Sequence, residues 1–290
     1  MTAPRVLLVV PCYVEAARLV PAAFLDVLPP RPWLTLLFVD DGSHDATIAV
    51  LESIAAACPG QVRVLRLAQH SGKAEAVRAG VLEAARSQPD FVGFWDADLS
   101  TPIETIDDFM ALVARRPDVD LVIGSRVNVM GREIRRRAAR HYVSRVFATA
   151  ASIALDLPVY DTQCGAKLFR ASRDVLGVFA ERFRSRWIFD VEILQRYVAL
   201  PVLDGGPPRR ARIYELVLPA WHEVAGSKLR AWDFAWSFVE VIGVWRRRKR
   251  GPREPGSPRA RDPGSPGNWK TDRNHIPDAD DGFIRKGDVP

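Results

Sequence analysis

Two hydrophobic patterns alternate over the first hundred residues. Short apolar runs rich in β-branched residues predict strands at 5–10, 35–39, 62–67 and 91–95. Ala-rich stretches with helical spacing predict helices at 15–27, 45–57 and 73–86. Strands that alternate with helices pair in parallel and are covered on both faces. The pattern therefore predicts an α/β fold with a mostly parallel sheet, whose ligands bind beyond the carboxyl ends of the strands.

The pattern changes after residue 120. Further strands are predicted at 121–123 and 213–218, and further helices at 132–155, 187–198 and 229–245. The helix over 132–155 is basic in its first half and apolar in its second, and the last helix confines its polar residues to one narrow stripe. Residues 246–290 contain 7 Pro and 6 Gly. We therefore expect one folded unit over 1–245, followed by a disordered tail.

The location of the charge excludes one class of protein. The net charge is +6, but residues 246–290 hold 12 basic and 7 acidic residues, which leaves 29 basic and 28 acidic residues in 1–245. A nucleic-acid-binding domain carries its basic excess on the folded body, so this class is not supported. The 48% of hydrophobic residues also excludes a wholly disordered chain.

The cysteines and the apolar runs predict a cytoplasmic protein. Cys12, Cys58 and Cys164 are an odd, widely spaced set, which is typical of a reducing compartment and not of a disulfide scaffold. No uncharged apolar run reaches the ~20 residues that cross a bilayer. The first ten residues do not have the pattern of a signal peptide.

Acidic clusters follow two of the predicted strands. They are Asp40-Asp41-Gly42-Ser43 and Asp96-Ala97-Asp98. Either cluster alone could be a turn with a helix cap. Together they crowd carboxylates at one sheet edge, where a cation or hydrogen-bond donors must compensate. Carboxylate pairs suit Mg²⁺ or Mn²⁺ shared with phosphates, and no G-x-G-x-x-G or Walker sequence is present, so a nucleoside-diphosphate site is predicted.

The order of the motifs resembles that of family-2 glycosyltransferases with the GT-A fold. The early motifs are Pro11-Cys12-Tyr13-Val14-Glu15, Asp40-Asp41-Gly42-Ser43, Gly72-Lys73 and Asp96-Ala97-Asp98-Leu99-Ser100. The later ones are similar to the dolichyl-phosphate β-glucosyltransferase branch: Asp161-Thr162-Gln163-Cys164-Gly165, Lys167-Leu168-Phe169, Arg186-Trp187-Ile188-Phe189-Asp190, Trp221-His222-Glu223 and Gly226-Ser227-Lys228-Leu229. The sequence departs from the family pattern in two ways. Val14 stands where the family usually has Asn, and the membrane-spanning segments that many relatives carry are missing from this sequence.

The resemblance implies a UDP-sugar donor and a nucleotide-sugar half over 1–120. It implies nucleotide-sugar contacts for Pro11, Tyr13, Glu15, Asp41, Lys73, Asp96 and Gln163. Asp41 would accept a hydrogen bond from uracil, Asp96 would support the ribose and the metal, and Asp98 would bind Mg²⁺ or Mn²⁺ directly. A solvated lysine at a helix start is the alternative for Lys73.

The acceptor half is predicted over 121–228, with a polyprenyl or dolichyl phosphate as acceptor. Arg126 is our choice for the acceptor phosphate, with Arg135 and Arg136 on the basic part of the long helix. Its apolar continuation could meet lipid chains, although a basic face is often only solvated. The aromatic helix 229–245 and the basic run 246–250 predict a peripheral contact at the cytoplasmic face of a membrane, with core packing as the alternative.

Asp161 and Asp190 compete for the position of the base in an inverting reaction. A phosphate monoester has a second pKa of ~6 and is largely ionised, so it needs positioning more than deprotonation. We expect Asp161 to orient the acceptor, with a turn-capping acid as the alternative. Asp190 and Glu192 would hold sugar hydroxyls or a structural arginine, and Cys164 is interpreted as a small packed residue.

The leading hypothesis is a metal-dependent, inverting transferase that moves a hexose, glucose first, from UDP-sugar to the lipid phosphate. One alternative keeps the donor but uses a soluble or polysaccharide acceptor. An aspartyl phosphohydrolase is less consistent with the sequence, because its Asp-x-Asp would follow an early strand, whereas here the motif follows the fourth predicted strand. A membrane-associated scaffold without turnover is the non-enzymatic alternative, although Asp96 and Asp98 are retained.

Overall fold

The computed structural model describes residues 3–135, 138–185, 187–224, 240–243 and 246. The strands are β1 Val6–Cys12, β2 Leu34–Asp40, β3 Val62–Arg66, β4 Phe91–Trp95, β5 Leu121–Ser125, β6 Glu133–Arg135, β7 Ala166–Arg170, β8 Ile213–Val217 and β9 Ala220–His222. The α-helices are α1 Pro21–Leu25, α2 Thr47–Ala57, α3 Lys73–Ala85, α4 Ile106–Arg115, α5 Ala138–Leu155, α6 Arg173–Gly177 and α7 Phe189–Val198. Short 3₁₀ helices cover Ile103–Thr105 and Arg209–Arg212.

Seven strands form one sheet in the order β3-β2-β1-β4-β7-β5-β8. All its pairs are parallel except those of β7, which runs antiparallel to both β4 and β5. From β1 the chain adds β2 and β3 on one side and then crosses to β4 on the other side of β1, so the carboxyl ends of β1 and β4 form a crevice. β6 and β9 pair as a separate parallel ribbon.

Alternating side chains of the central strands feed two cores, one on each face of the sheet. Leu7 and Val9 of β1 belong to the core with α3, α5, α6 and α7. Leu8 and Val10 point the other way, into the core with α1, α2 and α4. Burial on both faces explains why these strands are nearly continuous apolar runs.

The predicted α/β class is confirmed, but two predicted helices are wrong in part. Only Pro21–Leu25 of the predicted helix 15–27 is helical, because Val14 has a left-handed backbone (φ 51°) and Pro21 starts the helix. The predicted helix 132–155 begins at Ala138, because Glu133–Arg135 pairs as β6 with β9. Arg135 therefore lies on a strand and not on a helix.

Other predictions fall beyond the described part of the chain. Arg136, Arg186, residues 225–239 with the Gly226–Leu229 motif, and all of the tail except Arg246 lie outside it, and so does the side chain of Arg135. Among the described helices, none has both the length and the apolar character needed to cross a membrane.

Candidate active site

The two acidic clusters emerge at the same edge of the sheet. Asp40 ends β2 and pairs in register with Cys12, the last residue of β1. β4, which is followed by Asp96 and Asp98, pairs with the other side of β1. The loop after β1, which carries Tyr13 and Glu15, leaves the sheet between them. The strand-end argument from the sequence is confirmed.

Asp41 organises the loop that leads into α3. Its side chain is buried (2% exposed), and its two carboxylate oxygens accept hydrogen bonds from the backbone N–H groups of Ser71 and Gly72, both at 2.8 Å. Nδ1 of His70 lies 2.8 Å from the same carboxylate. The expected contact of Asp41 with uracil would therefore compete with donors from its own chain.

Aromatic rings gather beside Asp41. The rings of Tyr13 and His70 stack with their centroids 3.8 Å apart, and the ring of His44 meets Tyr13 edge-on at 6.2 Å. The histidines were missed from the sequence, although His44 directly follows the first acidic cluster and His70 stands two residues before Gly72. Flat rings beside hydrogen-bonding groups are suited to a nucleobase.

Lys73 and Asp96 form an ion pair at the mouth of the crevice. Nζ of Lys73, the first residue of α3, lies 2.5 Å from Oδ1 of Asp96. Burial alone would lower the pKa of Lys73, but the charges of Asp96, Asp190 and Asp98 outweigh it and raise that pKa. Burial opposes ionisation of Asp96 as well, yet Lys73, Lys167 and Arg126 together lower its pKa. Asp96 is therefore held as a carboxylate.

A glycine makes room for that carboxylate. The backbone N–H of Asp96 donates to the carbonyl of Gly165 at 3.1 Å. A Cβ at residue 165 would lie 1.9 Å from Oδ2 of Asp96, which is far inside van der Waals contact. The close approach of the loop before β7 thus fixes where the Asp96 side chain lies.

Asp98 sits on a sharp turn. Leu99 has a left-handed backbone (φ 50°), and Oδ1 of Asp98 accepts the backbone N–H of Ser100 at 3.0 Å. The carbonyl of Ser100 accepts the N–H of His222 at 2.9 Å, which joins this turn to β9. Oδ2 of Asp98 lies 3.4 Å from a guanidinium nitrogen of Arg18.

The donor set of Asp96 and Asp98 fits a hard divalent cation. Both side chains are partly exposed, at 34% and 26%. No group of three or more His, Cys, Asp and Glu side chains suited to a metal occurs in the described parts of the chain. Mg²⁺ is commonly held by one or two carboxylates together with substrate phosphates. These residues therefore fit a metal that shares its ligands with a bound diphosphate.

Arg126 and Asp161, predicted for different roles, form one ion pair. Nε and Nη2 of Arg126 donate to the two carboxylate oxygens of Asp161 at 2.6 and 2.7 Å. The Asp161 carboxylate also accepts the backbone N–H groups of Arg126 and Gln163, at 3.1 and 3.2 Å. Burial opposes ionisation of Arg126, but Asp161 more than compensates and raises the pKa of Arg126. The Asp161 carboxylate thus holds a guanidinium, which makes it a poor proton acceptor.

The surroundings keep this pair in place. The guanidinium of Arg126 lies 5.5 Å from the centre of the Trp221 ring. Glu215 of β8 accepts the backbone N–H groups of Tyr160 and Asp161, both at 2.7 Å. Glu215 was missed from the sequence, because nothing in a short strand indicates which loop its side chain will hold.

Asp190 is buried and neutralised by a lysine. Nζ of Lys167 lies 2.6 Å from Oδ1 of Asp190, and the two side chains are 1% and 8% exposed. The same Nζ donates to the carbonyl of Cys164. Glu192 pairs with Arg196 at 2.9 Å, so the structural-arginine alternative is confirmed for Glu192, whereas Asp190 holds a lysine instead.

Cys164 is a packed residue, as the sequence indicates. Its side chain is fully buried, and burial raises the pKa of its thiol to about 11. Its Sγ would lie 3.1 Å from a Cβ placed at Gly124. A thiol with a raised pKa stays protonated at neutral pH and is therefore not a nucleophile.

Comparisons with known proteins agree with this geometry. The glycosyl transferase family 2 domain matches residues 7–176. A dolichyl-phosphate beta-glucosyltransferase of Drosophila melanogaster is 30% identical over 275 residues, covering 82% of this chain and 76% of the relative. A polyprenol monophosphomannose synthase of Mycolicibacterium smegmatis is 31% identical over 173 residues, covering 59% of this chain and 63% of the relative.

A solved structure supports the fold. Glucosyl-3-phosphoglycerate synthase from Mycobacterium tuberculosis, crystallised with Mn²⁺, UDP-glucose and phosphoglyceric acid, superposes with a TM-score of 0.59 at 18% identity, covering 86% of this chain and 81% of that one. The mostly parallel sheet flanked by helices is thus that of the GT-A fold. Because the family domain matches more than half of this chain, the chain belongs to glycosyl transferase family 2.

Proposed function

We propose that this protein transfers a hexose, glucose in the first instance, from a UDP-sugar to a polyprenyl or dolichyl phosphate, with inversion at the anomeric carbon. The observation that carries the proposal is the shared edge of the sheet. Asp96 and Asp98 follow β4, and Arg126 follows β5, with only β7 between these strands. The acidic part of this edge after β4, which we call the donor end, therefore lies beside the part with Arg126 after β5, which we call the acceptor end. The similarity to a dolichyl-phosphate beta-glucosyltransferase of fly and a polyprenol monophosphomannose synthase of a mycobacterium supports a lipid-phosphate acceptor.

The donor end binds and orients the nucleotide through its own residues. Tyr13 offers a ring face to the base, and Lys73 holds Asp96 as a carboxylate beside Asp98. A Mg²⁺ or Mn²⁺ bound there would neutralise the charge of the departing diphosphate. Pro11, Glu15 and Gln163 stay predicted nucleotide-sugar contacts.

The acceptor end positions a nucleophile that is already ionised. A lipid monophosphate with a second pKa of ~6 needs no strong base at neutral pH. We therefore assign Asp161 to holding Arg126 in place, and Arg126 to the acceptor phosphate, with Arg135 and Arg136 as further predicted contacts. The bidentate contact fixes the plane of the guanidinium, which is what phosphate recognition requires.

Exposed apolar residues at the same edge support a peripheral membrane contact, which we assign to the cytoplasmic face. Val129 and Met130 follow Arg126 within four residues and are exposed, Met130 fully. Apolar residues beside a phosphate-binding arginine suit a lipid whose headgroup and chains must be held together.

A donor and acceptor screen tests the proposal. UDP-glucose, UDP-galactose, UDP-GlcNAc and GDP-mannose are each incubated with Mn²⁺ and either a short polyprenyl phosphate or phosphoglyceric acid. We expect glycolipid from UDP-glucose, and at least a tenfold lower rate with phosphoglyceric acid. Asp98→Asn should lower kcat by about two orders of magnitude, as expected when a charge-stabilising group is lost. Turnover of the soluble acceptor alone would contradict the lipid assignment, and a rate in chelator equal to that in Mn²⁺ would contradict the metal.

A further inference from the structure

Arg18 places a positive charge against the predicted metal ligand. Its guanidinium lies between Glu15, at 3.2 Å, and Oδ2 of Asp98, at 3.4 Å. Arg18 belongs to the turn after β1, whereas Asp98 follows β4, so the contact bridges two loops that are 80 residues apart in sequence. Its side chain is 25% exposed and can be reached from the crevice.

The contacts of this guanidinium are loose. Charge-assisted N–H···O bonds are ordinarily about 2.7–2.9 Å long, and the neighbouring Arg126–Asp161 pair reaches 2.6 Å. Nε of Arg18 is buried and finds no hydrogen-bond acceptor among the described residues. A buried donor without a partner costs free energy, so Arg18 gains if an acceptor enters the crevice.

A second arginine with the same spacing shows what a structural role looks like. Arg78 pairs with Glu75 three residues earlier, as Arg18 does with Glu15, but both of its contacts are short, at 2.8 and 2.9 Å. Arg78 also donates to the backbone carbonyls of Phe179 and Ala180, which ties α3 to the chain beyond α6. Within the described residues the guanidinium of Arg18 donates to no carbonyl, and its hydrogen bonds go only to the carboxylates of Glu15 and Asp98.

We propose that Arg18 is a donor-binding residue that neutralises Asp98 in the donor-free enzyme and turns to the diphosphate when the donor binds. This inference rests on the proposed function and assigns a further residue to its donor site. Arg18 and a divalent cation compete for the same carboxylate, so Arg18 weakens metal binding before the donor arrives. Once the Asp98 carboxylate is engaged, the guanidinium has lost a partner, and the phosphate oxygens supply the acceptors that it lacks.

The proposal predicts effects of opposite sign on two affinities. For Arg18→Met, the Kd for Mn²⁺ without nucleotide, measured from the EPR signal of free Mn²⁺, should fall about tenfold. The Kd for UDP at saturating Mn²⁺, measured by calorimetry, should rise about tenfold, as for the loss of one charged hydrogen bond. Arg18→Lys keeps the charge and should leave the Mn²⁺ Kd within about threefold of the parent value.

Two controls separate this role from a structural one. Arg78→Met removes an arginine of the same spacing and should change neither Kd beyond about twofold, whatever it does to the melting temperature. Arg18→Met/Asp98→Asn should lose the tighter Mn²⁺ binding, because the carboxylate that Arg18 blocked is no longer charged.

The outcomes distinguish the inference from the proposed function. If Arg18→Met weakens Mn²⁺ binding or leaves both affinities unchanged, while the parent protein binds Mn²⁺ and UDP, the inference is wrong and the proposed function stands. If the parent protein itself binds neither, the proposed function fails, and the inference fails with it.

Discussion

At the scale of single residues, Val14 adopts a conformation that a β-branched side chain disfavours. Its φ is 51°, in the left-handed region, and its N–H donates to the Ser43 hydroxyl at 2.9 Å. Asn tolerates this region far better. We expect Val14→Asn to stabilise the protein by about 1 kcal/mol, which raises the melting temperature by roughly 2–4 °C in a domain of this size.

Calorimetry or thermal circular dichroism checks this expectation. Val202→Asn is the matched control, because Val202 is also on a loop and partly exposed but its φ is not positive. It should leave the melting temperature unchanged. A gain of equal size in both variants would mean that Asn acts through solubility or the unfolded state, not through relief of strain.

Gly165 tests how tightly the Asp96 carboxylate must be placed. A methyl group at this position would lie 1.9 Å from Oδ2 of Asp96, so Gly165→Ala must push the carboxylate aside. Displacements of about 1 Å at a reacting centre cost on the order of 100-fold in rate. We expect kcat/KM to fall by about that factor, and the stabilisation of the protein by UDP with Mn²⁺ to be lost.

The control for Gly165 is Gly177→Ala in α6. A Cβ there meets nothing within 4 Å, so activity and UDP stabilisation should both persist. If Gly165→Ala keeps its rate, the carboxylate does not need the position that the loop before β7 imposes.

The reactivity of the cysteines reports burial directly. Cys12 and Cys164 are buried, and the pKa of Cys164 is raised by burial to about 11, whereas Cys58 is partly exposed. We expect a thiol reagent at pH 8 to modify Cys58 first, and to reach Cys12 and Cys164 only as the protein unfolds. Cys58→Ser should abolish the fast phase. A persisting fast phase would show that one of the buried cysteines is accessible.

The sequence indicates some residues of the candidate site and misses others for a physical reason. Asp96 and Asp98 could be predicted because the carboxyl end of a parallel strand is defined by the strand itself. Arg126 and Asp161 were each found, but their pairing depends on a loop that meets β5 from 35 residues away. Arg18 and His70 were missed because the contacts that bring them to the site, with Asp98 and Tyr13, join residues distant in sequence, and no periodic pattern surrounds them.

At the scale of elements, β7 and α7 are joined by a buried ion pair. Lys167 of β7 and Asp190 of α7 are both almost wholly buried and 2.6 Å apart. Removing one partner of such a pair leaves an uncompensated buried charge and costs about 3–5 kcal/mol, whereas an apolar pair of similar volume can be neutral. We therefore expect Lys167→Met and Asp190→Leu each to lower the free energy of unfolding by that amount, and the double variant to recover most of it.

Urea denaturation of the four proteins checks this cycle. The surface pair of Arg116 and Asp118 gives the comparison, since Arg116→Met and Asp118→Asn should leave the denaturation midpoint unchanged. Additive losses in the Lys167 and Asp190 variants would mean that the two side chains stabilise the fold independently.

Lys167 also explains why β7 was not predicted from the sequence. The polar side chain of Lys167 interrupts the apolar run of β7, so the strand has no clear strand pattern, and its antiparallel direction follows only from the tertiary fold. The predicted helix 15–27 failed for a local reason instead, since the Ala-rich spacing was outweighed by Val14 and Pro21. Predictions from local pattern were therefore correct where strands and helices alternate regularly, and wrong at the loops that carry the candidate site.

At the scale of the whole molecule, charge and apolar exposure are unevenly distributed. Residues 246–290 carry 12 basic and 7 acidic residues, whereas 1–245 are nearly balanced. Met130 is fully exposed on the loop that follows Arg126, at the carboxyl edge of the sheet. Leu203 is also exposed, but it lines a cavity of about 500 Å³ with Asp120 and Arg212, which precede β5 and β8 at the opposite edge. Only the carboxyl edge carries the proposed acceptor site, so a membrane that reaches this site would contact Met130 and not Leu203.

This asymmetry predicts how the protein meets vesicles. Binding to vesicles that contain an anionic lipid, measured by co-sedimentation, should weaken as salt rises from 0.1 to 0.5 M, because each basic residue near the surface contributes roughly 1 kcal/mol and is screened. Met130→Asp should reduce binding severalfold, since it sets a charge against the anionic surface at the acceptor edge. Leu203→Asp introduces the same charge at the opposite edge and should bind as the parent does. Equal losses in both variants would point to general electrostatic repulsion, and binding that ignores the anionic lipid would contradict a basic contact with the membrane.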